Sequence, residues 1–169
     1  MMLFCTPLES KSGTEAVYAL LEHAFRINYG VNLPEIMKTP RGKPYFPSFP
    51  EVHFSLSHTK THVFCALSDS PVGCDIESPR QISQPALRFF SSPEELDLFE
   101  PLDLWVLKES YVKLFGQTIA SIRKLRFSLH GQRIVAPDAS VEAKLYRISD
   151  CSAAVCSVYS KPPDSFVLI

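Results

Sequence analysis

The amino-acid sequence predicts an α+β protein made of two similar halves, residues 1–78 and 79–169, each a helix followed by antiparallel strands. Three observations carry that prediction. Tyr18–Gly30 and Leu104–Gly116 both repeat apolar residues at helical spacing. They match at an offset of 86 residues, Leu20 with Val106, Leu21 with Leu107, Phe25 with Tyr111 and Tyr29 with Phe115. Each is followed by stretches in which apolar and polar residues alternate, and the strand around Cys65 resembles the one around Cys156, 91 residues later. Any two amphipathic helices look alike, so the shared order and offset, more than the helices themselves, point to a duplication. Two such halves would bury a face against each other and leave a cleft for a ligand.

The elements follow in order. Val17, Leu20, Leu21, Ala24 and Phe25 form one face of a helix from about Thr14 to Tyr29, with Thr14 placed to cap its start and Gly30 to stop it. Pro34, Pro40, Pro44, Pro47 and Pro50 then predict an irregular connection. Val52-His53-Phe54-Ser55-Leu56-Ser57 and His62-Val63-Phe64-Cys65-Ala66-Leu67 read as two strands of a hairpin, turning at His58-Thr59-Lys60-Thr61. Val72–Glu77 is a third extended segment. Ser92-Pro93-Glu94-Glu95 signals a helix start, with Ser three residues before Glu and Pro at the first helical position. A longer helix runs from about Leu102 to Phe115 and closes at Gly116. Leu125–Leu129, Ala143–Ile148 and Ala153–Tyr159 read as strands, with a turn at His130-Gly131-Gln132, and Pro162-Pro163 as a surface extension.

Composition narrows the function classes. With 46% hydrophobic residues among 169, the chain is not a disordered polypeptide. Its formal charge of −1 excludes nucleic-acid binding through overall charge. No stretch approaches the roughly 20 apolar residues that span a bilayer, and the N-terminus lacks a basic start and an apolar signal core. The expectation is a cytoplasmic protein, monomeric because a duplicated chain supplies both sides of its cleft, with neither nucleic acid nor membrane as partner. The five cysteines form no Cys-x-x-Cys pair, so a zinc knuckle or thioredoxin-like site is not expected; Cys65 and Cys156 read as buried thiols.

Asp75-Ile76-Glu77 carries the most chemistry. Residues two apart on a strand point to one face, so both carboxylates aim at one spot. Glu109, mid-helix, could join them if its helix packs there. Three such carboxylates repel one another unless a cation such as Mg²⁺ holds them. Two acidic residues on the solvent side of an edge strand give the same pattern. Glu109 and Lys113, four apart, share a face with Trp105, which suits phosphate chemistry but also describes an ordinary exposed pair. Lys38, Arg41, Lys43, His58 and Lys60 could grip an anionic ligand such as a nucleotide phosphate, or could simply be solvated.

Five pieces in order then sharpen the reading: Gly42-Lys43-Pro44, Phe54-Ser55-Leu56-Ser57-His58, Gly73-Cys74-Asp75-Ile76-Glu77, Phe89-Phe90-Ser91 with Glu94, and Trp105-x-x-Lys108-Glu109-Ser110-x-x-Lys113. Together they resemble the signatures of the 4′-phosphopantetheinyl transferases, of the pseudo-dimeric type that activates peptide and polyketide synthetases. The motifs cover residues 42–113, under half of the chain. The resemblance implies a fold of two similar α+β halves. It also implies transfer of phosphopantetheine from coenzyme A to a serine of an apo acyl or peptidyl carrier protein, with release of adenosine 3′,5′-bisphosphate. Asp75, Glu77 and Glu109 match the family's Mg²⁺ ligands, and Lys113 its helix lysine. Lys43 and His58 match coenzyme A contacts, His58 near the 3′-phosphate with Ser57 as its neighbour, and Thr14 resembles a further contact; Arg41 is expected to bind coenzyme A as well.

In this reading Glu109 is the general base and Lys113 stabilises the leaving phosphate; Arg80, Arg88, Phe89 and Phe90 are expected to dock the carrier. Ser55 stands where the family has Asn, and Cys74 where it has a hydrophobic residue before Asp75. The N-terminus is expected to lack a basic segment of longer members, with Lys11 in its place. The alternative is a non-catalytic coenzyme A or carrier-protein binding protein of the same fold; the complete Asp75, Glu77, Glu109 and Lys113 set argues against it.

Overall fold

A computed structural model describes residues 1–8 and 12–169; Lys11 lies outside the described residues. The chain folds as mixed α+β. Its first part contains β1 (Met2–Pro7), α1 (Gly13–Tyr29), β2 (Met37–Lys38), β3 (Pro44–Tyr45), β4 (His53–His58), β5 (His62–Ser68) and β6 (Val72–Glu77). Then come α2 (Gln84–Phe90), α3 (Pro93–Leu96), α4 (Pro101–Phe115) and a 3₁₀ turn over Ile119–Lys124. The chain ends with β7 (Ser128–His130), β8 (Arg133–Val135), β9 (Val141–Ile148), β10 (Cys151–Val158) and β11 (Val167–Leu168).

The described strands form one sheet of order β11-β1-β5-β4, another of order β6-β10-β9-β8-β7, and the small β2–β3 hairpin. Alternation along the strands decides the layers. On β5, Val63, Cys65 and Leu67 join Val17, Leu20, Leu21 and Phe25 of α1 in one core. Phe64 and Ala66 point the other way, into a core shared with Cys74, Ile76, Ala153 and Val155 of the second sheet. Ala154 and Cys156 of β10 pack instead against Leu107, Tyr111 and Leu114 of α4. The two sheets therefore face each other, with α1 outside one and α4 outside the other.

Both long helices end as their glycines predict, in left-handed Gly30 and Gly116. Ser12, not Thr14, caps α1 by accepting the Glu15 N–H. Strand β6 directly follows the β4–β5 hairpin in sequence but pairs antiparallel with β10, setting Asp75 opposite Ala154 and Glu77 opposite Ser152.

Several elements differ from expectation. β1 pairs with β5 and, in parallel, with β11; such long-range partners leave no local signal. The Pro162-Pro163 tail is held as the Tyr146 hydroxyl donates to the Pro163 carbonyl (2.7 Å) before β11 forms. Leu125 and Phe127 do not lie in a strand; they are buried beneath α4, and β7 begins only at Ser128. Proline limits the 34–50 connection to the two-residue strands β2 and β3.

Candidate active site

On β6, Val72, Cys74 and Ile76 enter the core between the sheets, so Gly73, Asp75 and Glu77 face α4. Gly73 lets α4 come close, and this brings Glu109 and Lys113 over Asp75. The Lys113 amine lies 2.7 Å from Asp75 Oδ1 and 3.0 Å from Ser57 Oγ, and also donates to the Leu56 carbonyl (3.4 Å). It therefore reaches across to β6 instead of pairing with Glu109 along its own helix. Burial opposes charge on Lys113, but the Asp75 carboxylate outweighs it and the pKa rises above the ordinary lysine value. Asp75 is 5% exposed, and its other oxygen, Oδ2, is buried without a hydrogen-bond partner.

Glu109 responds to the same concentration of charge. Burial pushes its pKa up to about 7; the Asp75 and Glu77 carboxylates add to the rise, and Lys113 offsets part of it. Glu77 is turned outward: Arg80 donates to both of its oxygens at 3.3 Å, and the Trp105 indole donates at 3.2 Å. Among the described residues, accordingly, no three His, Cys, Asp or Glu side chains stand ready around one ion. The donor chemistry still suits a hard divalent cation, which takes carboxylate oxygens. Asp75 Oδ2, buried without a hydrogen-bond partner, and Glu109, whose charge burial disfavours, would both gain from such an ion.

A pocket of about 690 Å³ opens beside these groups, lined by Thr14, Arg41, Lys43, Leu56, Glu109 and Lys113 among others. Its volume suits a ligand of nucleotide size. A larger groove of about 1350 Å³ lies between α3 and the β7–β9 strands, but none of the expected site residues lines it. Lys43 does not extend its amine freely into the pocket. The amine donates to the Val72 carbonyl (3.2 Å) and to the Leu114 carbonyl in the last turn of α4, and burial pulls its pKa down to about 8. His58 is exposed at the end of β4, with its imidazole against Gly13 at the start of α1.

The expected residues thus separate into three groups. Asp75, Glu109 and Lys113 come together, with Glu77 adjacent but engaged elsewhere. Thr14, Arg41 and Lys43 share the pocket, and His58 sits at the N-terminus of α1. Ser57 is buried beneath Lys113. The sequence reading missed Trp105 as a donor to Glu77, although its helical spacing from Glu109 was a signal. It also missed Ser55 as a link, whose hydroxyl accepts the Cys74 N–H at 2.9 Å and so joins the edges of the two sheets. Lys108 and Glu95 form a buried pair (2.8 Å), so Glu95, not the exposed Glu94, is anchored in the core.

No protein-family model matches the chain. Among curated proteins it is 34% identical over 145 residues to 4′-phosphopantetheinyl transferase Sfp of Bacillus subtilis (strain 168), over 76% of this chain and 65% of that one. It is 35% identical over 113 residues to 4′-phosphopantetheinyl transferase psf-1 of Bacillus pumilus, over 60% and 48% of the two chains. With 4′-phosphopantetheinyl transferase gsp of Aneurinibacillus migulanus it shares 30% identity over 141 residues, over 73% and 58%. The match spans less than two thirds of the length of each of these relatives.

Proposed function

We propose that this chain, which belongs to the 4′-phosphopantetheinyl transferase superfamily, transfers 4′-phosphopantetheine from coenzyme A to a serine hydroxyl of an apo acyl or peptidyl carrier protein. The single observation that carries the reading is the Asp75–Lys113–Glu109 grouping beside a pocket of nucleotide size. We read residues 1–78 and 79–169 as the two halves of a pseudo-dimer, each with a long helix outside one sheet and each lending a strand, β6 and β11, to the other's sheet, with the site in the cleft between them, working as a monomer in the cytoplasm.

The serine oxygen attacks the phosphorus that carries pantetheine; the bond from that phosphorus to the bridging oxygen breaks, and adenosine 3′,5′-bisphosphate leaves. Asp75 Oδ2 and Glu109 would hold Mg²⁺, joined by Glu77 once it releases Arg80. When bound, the ion supplies positive charge that neutralises and orients the pyrophosphate. Glu109 takes the proton of the incoming hydroxyl, directly or through a water. Lys113, charged and aimed across the site, stabilises the departing phosphate. Thr14, Arg41, Lys43 and His58 bind coenzyme A, and bound phosphate would hold Lys43 in its charged form.

Mass spectrometry of an apo carrier incubated with the protein, coenzyme A and Mg²⁺ tests this. The carrier gains one phosphopantetheine, and the gain disappears when Mg²⁺ is omitted. An unchanged carrier mass across both acyl and peptidyl carriers would overturn the proposal.

A further inference from the structure

Each carboxylate on the outer face of β6 is paired with a cation of this chain: Asp75 with Lys113, and Glu77 with Arg80. The two pairings differ in how firmly they hold. The Lys113 amine, in the last turn of α4, reaches three acceptors: Asp75 Oδ1, Ser57 Oγ and the Leu56 carbonyl. Arg80 stands in the connection between β6 and α2, and its side chain is 46% exposed. Among the described residues its guanidinium donates to Glu77 alone.

That grip is a fork. Arg80 Nε donates to Glu77 Oε2 and Nη2 to Oε1, both at 3.3 Å, a two-pronged contact that a guanidinium offers and an ammonium does not. The Trp105 indole N–H adds a third donor at Oε1, and the guanidinium lies over the same indole, 5.6 Å from the ring centre. A divalent ion on Glu77 would meet the arginine charge at hydrogen-bond range, so the two compete for one carboxylate. An ion pair this exposed shifts such an equilibrium by up to roughly fivefold. That is enough to hold metal back and too little to exclude it.

Resting on the metal site of the transferase reading, we propose that Arg80 is a latch on Glu77: it holds the carboxylate outward against Trp105, so that a divalent cation gains Glu77 only as the guanidinium lets go.

Trp105 is the only tryptophan in the chain, so its emission reads the latch directly. In titrations of metal-free protein, with neither coenzyme A nor carrier, Mg²⁺ shifts the wild-type emission as the guanidinium leaves the ring. In Arg80→Gln the same titration moves the emission less, and calorimetry finds Mg²⁺ bound roughly fivefold more tightly. Arg80→Lys keeps the charge but not the fork and falls between the two. If loss of a positive charge were the whole effect, Arg80→Lys would match the wild type. Circular dichroism checks that both variants are folded.

Four results overturn the latch: equal Mg²⁺ affinity in wild type and Arg80→Gln, Arg80→Lys indistinguishable from wild type, an equal emission change in wild type and Arg80→Gln, or no metal binding to any of the proteins. A carrier that still gains phosphopantetheine in those cases leaves the transferase reading standing. Tighter Mg²⁺ binding by Arg80→Gln in a protein that transfers nothing keeps the latch and overturns the transferase reading.

Discussion

Gly73 lies so close to α4 that a methyl group placed on it would stand 2.1 Å from the Ser110 carbonyl oxygen and 2.4 Å from the Leu114 nitrogen. Those are backbone atoms of a buried helix and cannot swing aside. Gly73→Ala is therefore expected to lower stability by about 1–3 kcal/mol through overpacking, read as a lower urea midpoint with an unchanged slope. The same displacement lifts Glu109 and Lys113 away from Asp75, so transfer falls more than folding does. A wild-type midpoint would show that the helix does not rest on this glycine.

Lys108 is fully buried and donates to Glu95, to the Phe90 carbonyl (2.6 Å) and to the Leu125 carbonyl (2.9 Å). Glu95 in turn accepts the Ser92 and Phe127 N–H groups. Removing the lysine alone strands a buried carboxylate, so Lys108→Met is expected to cost about 3–5 kcal/mol. Lys108→Met with Glu95→Leu should cost less than the sum of the single changes, because neither charge is left unpaired. A double-mutant cycle by urea denaturation checks this, and additivity would rule the coupling out.

The site was legible where local periodicity fixes direction. Asp75 and Glu77 share a face because strand side chains alternate, and Lys113 follows Glu109 by one helical turn. What the sequence could not supply is the choice of partners. Lys113 turns to Asp75, not to Glu109, because α4 crosses β6 at Gly73. In the sequence that glycine looks like any other, and its φ is ordinary; only the helix pressing on it reveals why it is there. Glu77 turned to Arg80 and Trp105 is likewise a tertiary outcome. The alternation of β4 puts Ser55 and Ser57 on one face, but does not reveal that they accept the Cys74 and Ile76 N–H groups at the edge of the second sheet. β1 and β11 stayed hidden because their partners are distant in the chain.

Gly13 and His58 give a prediction in which stability and affinity move apart. A methyl group at Gly13 would lie 2.3 Å from His58 Nδ1, so the imidazole must leave its place against α1. Alanine also suits the start of a helix better than glycine, and the fold should lose nothing or gain up to ~1 kcal/mol. If His58 contacts the 3′-phosphate, Gly13→Ala should weaken coenzyme A binding roughly tenfold and leave 3′-dephospho-coenzyme A nearly unaffected. Equal losses for both ligands in calorimetry would place His58 elsewhere.

Glu109 links the chemistry to the pH dependence of folding. A free glutamate ionises near 4.5, whereas burial and the Asp75 and Glu77 charges hold Glu109 near 7 in the folded chain. Between those values the folded state keeps a proton that the unfolded state has released. The stability tied to this group is therefore whole below about pH 4.5, and it is lost as pH rises through about 7. Glu109→Gln cannot ionise, so in metal-free protein it should melt higher than wild type at pH 8 and lack that fall between pH 5 and 7. In the proposed mechanism the same variant also removes the base, and turnover should drop by roughly 100-fold or more. Saturating Mg²⁺ should raise the wild-type Tm at pH 8 and flatten its pH dependence, because a cation favours the ionised carboxylate, while Glu109→Gln responds weakly. Parallel Tm–pH curves for the two proteins would mean that Glu109 does not carry this strain and that its role as base needs another origin.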